Sequence, residues 1–195
     1  MILKVEGFNE IFNILKGLFA GIKSAVKLPE NNRKEMKDAL ADTAELIDET
    51  LTILKQQLTS VVSELKFGDI QKAKKLIYEL GDFQGWENKY RQFQLCDKLR
   101  DAAFNLEKKG LYGLINNVSF GSPEIIQQRM WDYIGGEANA ANSVGTMLLE
   151  LSRLSDNVDS DFNNVLRHLE AARDEISIWR QSFIDLEIEI RNSIV

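Results

Sequence analysis

The chain carries a single histidine, His168, and a single cysteine, Cys96, so the most common side-chain chemistries would have to run through one of them. One histidine cannot supply the two Glu-x-x-His pairs that a di-iron carboxylate bundle projects inward. His168 stands in "LRHLEAARDE" beside Leu169, with Arg167 directly before it and the next arginine upstream at Arg153. That spacing does not give the Arg-x(4–6)-His arrangement of helical HEPN-type nucleases. Cys96 alone excludes an internal disulfide and a cysteine-based zinc site. Beside Leu95 and near Leu99 it reads as a small core side chain. No Walker loop, dinucleotide fingerprint or G-x-S-x-G elbow occurs.

The other polar clusters point the same way. "GGEANAANSVG" (135–145) has no lysine and follows no strand pattern. Its Gly136, Ala138, Ala141 and Gly145 suit the close approach of two helices, and Asn139 and Asn142 a buried polar joint. The acidic stretches "ELIDET" (45–50) and "DLEIE" (185–189) lack the alternation of a calcium loop and read as solvated helix faces. The expectation is therefore no catalytic residue, no cofactor and no metal.

Two apolar groups remain as candidate binding surfaces. In "FNEIFNILKGLFAGIKSAVKL" (8–28), Phe8, Ile11, Phe12, Ile14, Leu15, Leu18, Phe19, Ile22, Ala25 and Val26 fall on one side of a helix, within roughly 160° of arc. Phe8, Ile11, Phe12, Leu15, Leu18, Phe19 and Ile22 make the candidate partner or membrane face. Over residues 1–28, Lys4, Lys16, Lys23 and Lys27 against Glu6 and Glu10 leave a net charge of +2, in a chain of net −6. Gly7, Gly17 and Gly21 weaken it as an autonomous helix, each internal glycine by up to about 1 kcal/mol relative to alanine. The second group is Tyr78, Phe83, Trp86, Tyr90 and Phe93, an aromatic set beside Gly81 and Gly85 that is a candidate small-molecule pocket.

The elements that must position these groups are helices. A chain of 195 residues with 44% apolar and 28% charged content fits one globular domain. With only two prolines and twelve glycines it has little turn chemistry for a β protein. From 32 to 66, Leu40, Ala44, Ile47, Leu51, Leu54, Leu58, Val61 and Leu65 are spaced alternately by four and three, a heptad seam. Ala39, Leu46 and Ile53 form a second column beside it, so this helix touches neighbours on two sides. From 160 to 194, Phe162, Val165, Leu169, Ala172, Ile176, Trp179, Phe183, Leu186, Ile190 and Ile194 repeat the pattern, with Asp159 and Ser160 as capping side chains. Pro29 and Pro123 fall at helix starts, Asn32 with Glu35 as a capping-box variant and Ser122 as N-cap before Glu124. Further helices are expected at 69–80, which is short, 83–109, 123–134 and 137–156, with a break near Gly81 and Gly85.

The expected architecture is an all-α, elongated multi-helix bundle of about six helices, four of them long. It forms a single domain over 1–195, with an amphipathic N-terminal helix at 1–28 and a bundle body at 29–195. The acidic balance disfavours nucleic acid, since phosphate neutralisation needs clustered lysine and arginine. The opening "MILKVEG" lacks a basic secretory n-region, and no apolar run is long enough to span a bilayer, so a cytoplasmic address is expected. The leading functional expectation is a non-enzymatic interaction or regulatory module, bound to another protein or to itself. The alternative is a bundle that deploys helix 8–28 on a membrane surface. That layout resembles membrane-permeabilising and cell-death bundle domains, with no motif shared. Small-molecule binding near 78–93 is the third reading.

Overall fold

The computed structural model describes residues 8–82, 101, 102, 104, 105, 107–109, 122, 124, 125, 128 and 140–194. The expected helices at 83–109 and 123–134, Cys96, and four of the five aromatic-pocket residues (Phe83, Trp86, Tyr90 and Phe93) lie wholly or mostly outside them. Within the described residues every regular element is helical: α1 (Phe8–Ser24), α2 (Glu30–Phe67), α3 (Ile70–Glu79), α4 (Ala140–Ser152) and α5 (Phe162–Asn192). Short 3-10 turns follow α3 at Leu80–Asp82 and α4 at Arg153–Asn157.

The frame is an antiparallel pair. Helix α2, of 38 residues, and α5, of 31, are about 57 and 46 Å long at 1.5 Å per residue. Neither contains a glycine or proline. Their seams face each other: Leu40, Leu51, Leu54 and Leu58 of α2 and Val165, Leu169, Ile176, Phe183 and Ile190 of α5 are all buried. Polar contacts along one edge fix the direction and register. Lys37 Nζ donates to the carbonyls of Arg191 and Ser193 at 3.2 and 3.0 Å, satisfying acceptors at the α5 C-terminus. Arg191 reaches Asp42 and Glu45 at 3.3 and 2.7 Å. Further along, Arg180 meets Asp48 at 2.8 Å and Lys66 meets Glu170 at 2.5 Å.

Each half of this hairpin takes its own partners. Helix α1 packs on α2 and α5. The rings of Phe8 and Phe12 lie edge-on to Phe183 at centroid distances of 6.2 and 5.7 Å, and Phe8 lies 5.8 Å from Trp179. At the other end α3 packs on α2, and α4 and the turn at Arg153–Asn157 close over α3 and α5. Gly81 makes that closure tight: a Cβ there would stand 2.8 Å from Ser152 Oγ. The break expected near Gly81 is thus a point of close approach, where the chain narrows to a 3-10 turn.

Several local expectations are corrected. Helix α2 begins one residue after Pro29 with no side-chain cap, and the amides of Asn32 and Arg33 both donate to the Pro29 carbonyl at 3.0 Å. The capping box does not form: Asn32 is buried with its amide nitrogen unpartnered, and Glu35 instead accepts from Asn105 at 2.7 Å. Asp161, not Asp159 or Ser160, precedes α5, and Asp159 pairs with Lys74 across to α3. The segment 137–156 is described from Ala140, and its helix gives way to the tighter turn at Arg153. Val26 (77% exposed) and Ile194 (99%) leave the apolar faces assigned to them, because the helices carrying those faces end at Ser24 and Asn192. Of the expected long helices, α2 and α5 are long.

Burial on this scale sets a stability expectation. Leu15, at 0% exposure on α1, is expected to lower the unfolding free energy by about 2–5 kcal/mol when changed to alanine. Val26→Ala is expected to cost no more than about 0.5 kcal/mol. Urea unfolding of the two variants measures both, and hydrogen exchange in the wild type is expected to protect the amides of residues 14–22.

Candidate functional site

The candidate partner or membrane face is brought together, but inward. Phe8, Ile11, Leu15, Leu18, Phe19 and Ile22 are buried in the main core, with Ile14 beside them, and Phe12 is partly buried against it. The opposite side of α1 is solvated. Lys16 lies over the Phe12 ring at 5.8 Å and Lys23 over the Phe19 ring at 5.1 Å, so each ammonium covers the outer edge of an aromatic while staying wet. Of the aromatic pocket group only Tyr78 is described. It is 67% exposed on α3 and points away from the core that holds Ala73 and Ile77.

The aromatic assembly that the structure does show is Phe8, Phe12, Trp179 and Phe183, where the first and last helices meet. Each residue sat on an apolar stripe in the sequence, but no local signal pairs stripes more than 150 residues apart. His168 is accounted for structurally: its Nδ1 lies 2.7 Å from the Asn164 carbonyl one turn back. Among the described residues no three of His, Cys, Asp or Glu converge as metal ligands, and no helix is long and apolar enough to cross a membrane.

Two features outside the core have the geometry of binding surfaces. The first is the α2–α3 corner. Gly68 N–H donates to the Glu64 carbonyl at 3.0 Å, and Asp69 N–H to the Glu64 carboxylate at 3.3 Å. Asp69 then caps α3, accepting from Gln71 N–H at 2.7 Å, and Lys72 closes the loop by pairing with Glu64. The Lys72 bond and the Asp69 amide hold the Glu64 carboxyl below the usual range. On this braced corner Phe67 is 86% exposed and Ile70 44%.

The second is a shallow, open groove of about 610 Å³ on the flank of the hairpin, lined by Thr52, Lys55, Gln56, Thr59, Ser60, Ser63 and Glu64 of α2 and by Arg180 of α5. These α2 positions recur at three- and four-residue spacing on the side away from the leucine seam, as a polar stripe. Arg180 Nε donates to Thr52 Oγ1 at 2.7 Å and stands 2.8 Å from Asp48 Oδ1, which has no hydrogen bond of its own. Burial pushes the Asp48 carboxyl up, against the pull of Arg180, and the neighbouring charges of Glu187 and Glu49 push in the same direction as burial.

No known protein family, no curated protein and no solved structure matches the chain significantly.

A raised folded-state carboxyl keeps its proton to higher pH than the unfolded chain does, so the stability it contributes is lost as pH rises through that raised value. Asp48→Asn removes this loss. The variant is expected to melt at or above the wild type at pH 7, by up to about 2–4 °C, the equivalent of about 1 kcal/mol in a domain of this size. The difference is expected to shrink toward zero below pH 4, as thermal unfolding at a series of pH values would show.

Proposed function

We propose that the chain is a non-enzymatic helical module that acts through protein–protein contacts, and that the α2–α3 corner is its contact point. The observation that carries this reading is Phe67, which stands 86% exposed next to Ile70 on a turn braced by Glu64, Asp69 and Lys72. Single exposed apolar side chains are common on soluble proteins. Here a large aromatic and a β-branched residue sit three positions apart on a corner whose backbone is already fixed, so little ordering cost is left for a partner to meet. Among the exposed large apolar side chains of the described helices Phe67 is the most exposed, and the apolar face of α1 is turned inward, which supports the reading further.

A photoreactive residue placed at position 67 is expected to yield a discrete protein adduct in cells that express the chain, while the same group at exposed Lys34 yields none. Phe67→Ser is expected to shift the unfolding free energy by no more than about 0.5 kcal/mol. Absence of an adduct at 67, or an equal adduct at 34, counts against the corner.

A second reading, deployment of helix 8–28 onto an anionic membrane surface, draws on α1 itself. It combines a large apolar face with Lys16 and Lys23 on its wet side and Lys27 just beyond it, and contains Gly17 and Gly21. Its apolar residues are packed in the core, so lipid contact requires α1 to detach from α2 and α5. Co-sedimentation with phosphatidylserine vesicles at low salt that is reduced severalfold in Lys16→Glu/Lys23→Glu is the expected result on this reading. No co-sedimentation of the wild type ends it.

A further inference from the structure

The groove on the α2–α5 flank is rich in side-chain donors, and the carboxylate in its lining, Glu64, is paired with Lys72. Elsewhere on the two long helices hydroxyls are spent on the backbone. Thr43 and Thr50 donate to carbonyls four residues back at 2.7 and 3.1 Å, and Ser177 and Ser182 do so at 2.9 and 3.0 Å. In the groove Thr59, Ser60 and Ser63 make no such bond, and Thr52 only accepts, from Arg180 Nε, which leaves its own O–H to give. Lys55 is partly buried in the same wall and pairs with no carboxylate. Arg180 uses Nε alone and keeps both terminal nitrogens.

Thr52, Lys55 and Thr59 are spaced i, i+3, i+7, so their side chains share the side of α2 that faces Arg180. Two carboxylates lie near. Asp48 approaches Arg180 from its Nε side. Glu64 lies about 14 Å along the helix from Lys55, where Lys72 neutralises it.

We propose that this groove binds a tetrahedral oxyanion, the phosphate of a small phosphomonoester. The forked terminal nitrogens of Arg180 suit two of its oxygens, the Lys55 ammonium a third, and the Thr52 and Thr59 hydroxyls complete a donor-only cradle. Gln56, Ser60 and Ser63, at the open side, face the polar group that carries the phosphate.

The test titrates the full chain with inorganic phosphate and glycerol phosphate at constant ionic strength, reading the side-chain NMR signals of Lys55 and Arg180. The expected result is a saturable shift that chloride does not reproduce. Lys55→Gln is expected to weaken it about tenfold or more, and Lys34→Gln to leave it unchanged. Arg180→Lys, which keeps the charge and loses the fork, is a second variant and is expected to weaken binding several-fold. A parallel arm presents the phosphate on phosphatidic acid vesicles. Binding there that is sensitive to Lys55→Gln, with none to the soluble compounds, assigns the phosphate to a lipid headgroup, whereas binding of glycerol phosphate assigns it to a soluble ligand. No saturable shift in either arm, or a shift that survives Lys55→Gln, overturns the proposal.

Discussion

The antiparallel pairing of α2 with α5 is the constraint on which the remaining elements depend. A single helix of 38 residues, apolar along one stripe, has no stable existence in water, because helical stability in proteins comes from packing far more than from propensity. Once the two seams interlock, the stripes flanking them become grooves. Helix α1 fills one toward the α2 N-terminus, and α3 and α4 cover the other end. The edge contacts from Lys37 to Lys66 add little energy individually, being partly solvated. They matter for register: each joins a charged side chain on one helix to a carboxylate or carbonyl at a matching height on the other, and a slip of one turn would break them together.

The long-range architecture was legible because it is periodic. Leu40 to Leu65 and Phe162 to Ile190 announce their faces every three or four residues, and the flanking column of Ala39, Leu46 and Ile53 announces a second neighbour; Ala39 and Leu46 do pack against the core. What failed was local. Capping at Asn32, Asp159 and Ser160 was read from residue type, yet tertiary partners took those positions over: Asn32 went into the core and Asp159 to Lys74. Val26 and Ile194 were misplaced because an apolar pattern continues past the point where the backbone stops being helical.

The candidate surfaces were less legible, for a different reason. The α1 stripe was visible, but a stripe does not say whether it faces inward, and that answer came from Phe183 and Trp179, far away in sequence. The prominence of Phe67 depends on a corner held by Glu64 and Asp69, a set of backbone and side-chain bonds without periodic signature. The α2 hydroxyls between Thr52 and Ser63 look like ordinary solvated surface until Arg180 is set against them from a helix more than a hundred residues on.

The absence of glycine and proline from α2 and α5 has a mechanical consequence. Sharp bends in helices almost always occur at such residues or where the hydrogen-bond ladder is interrupted. Two uninterrupted rods zipped side by side therefore behave as a stiff beam. Tilting one extremity by a few degrees swings the other through several ångströms, so the two ends of the α2–α5 pair are geared together.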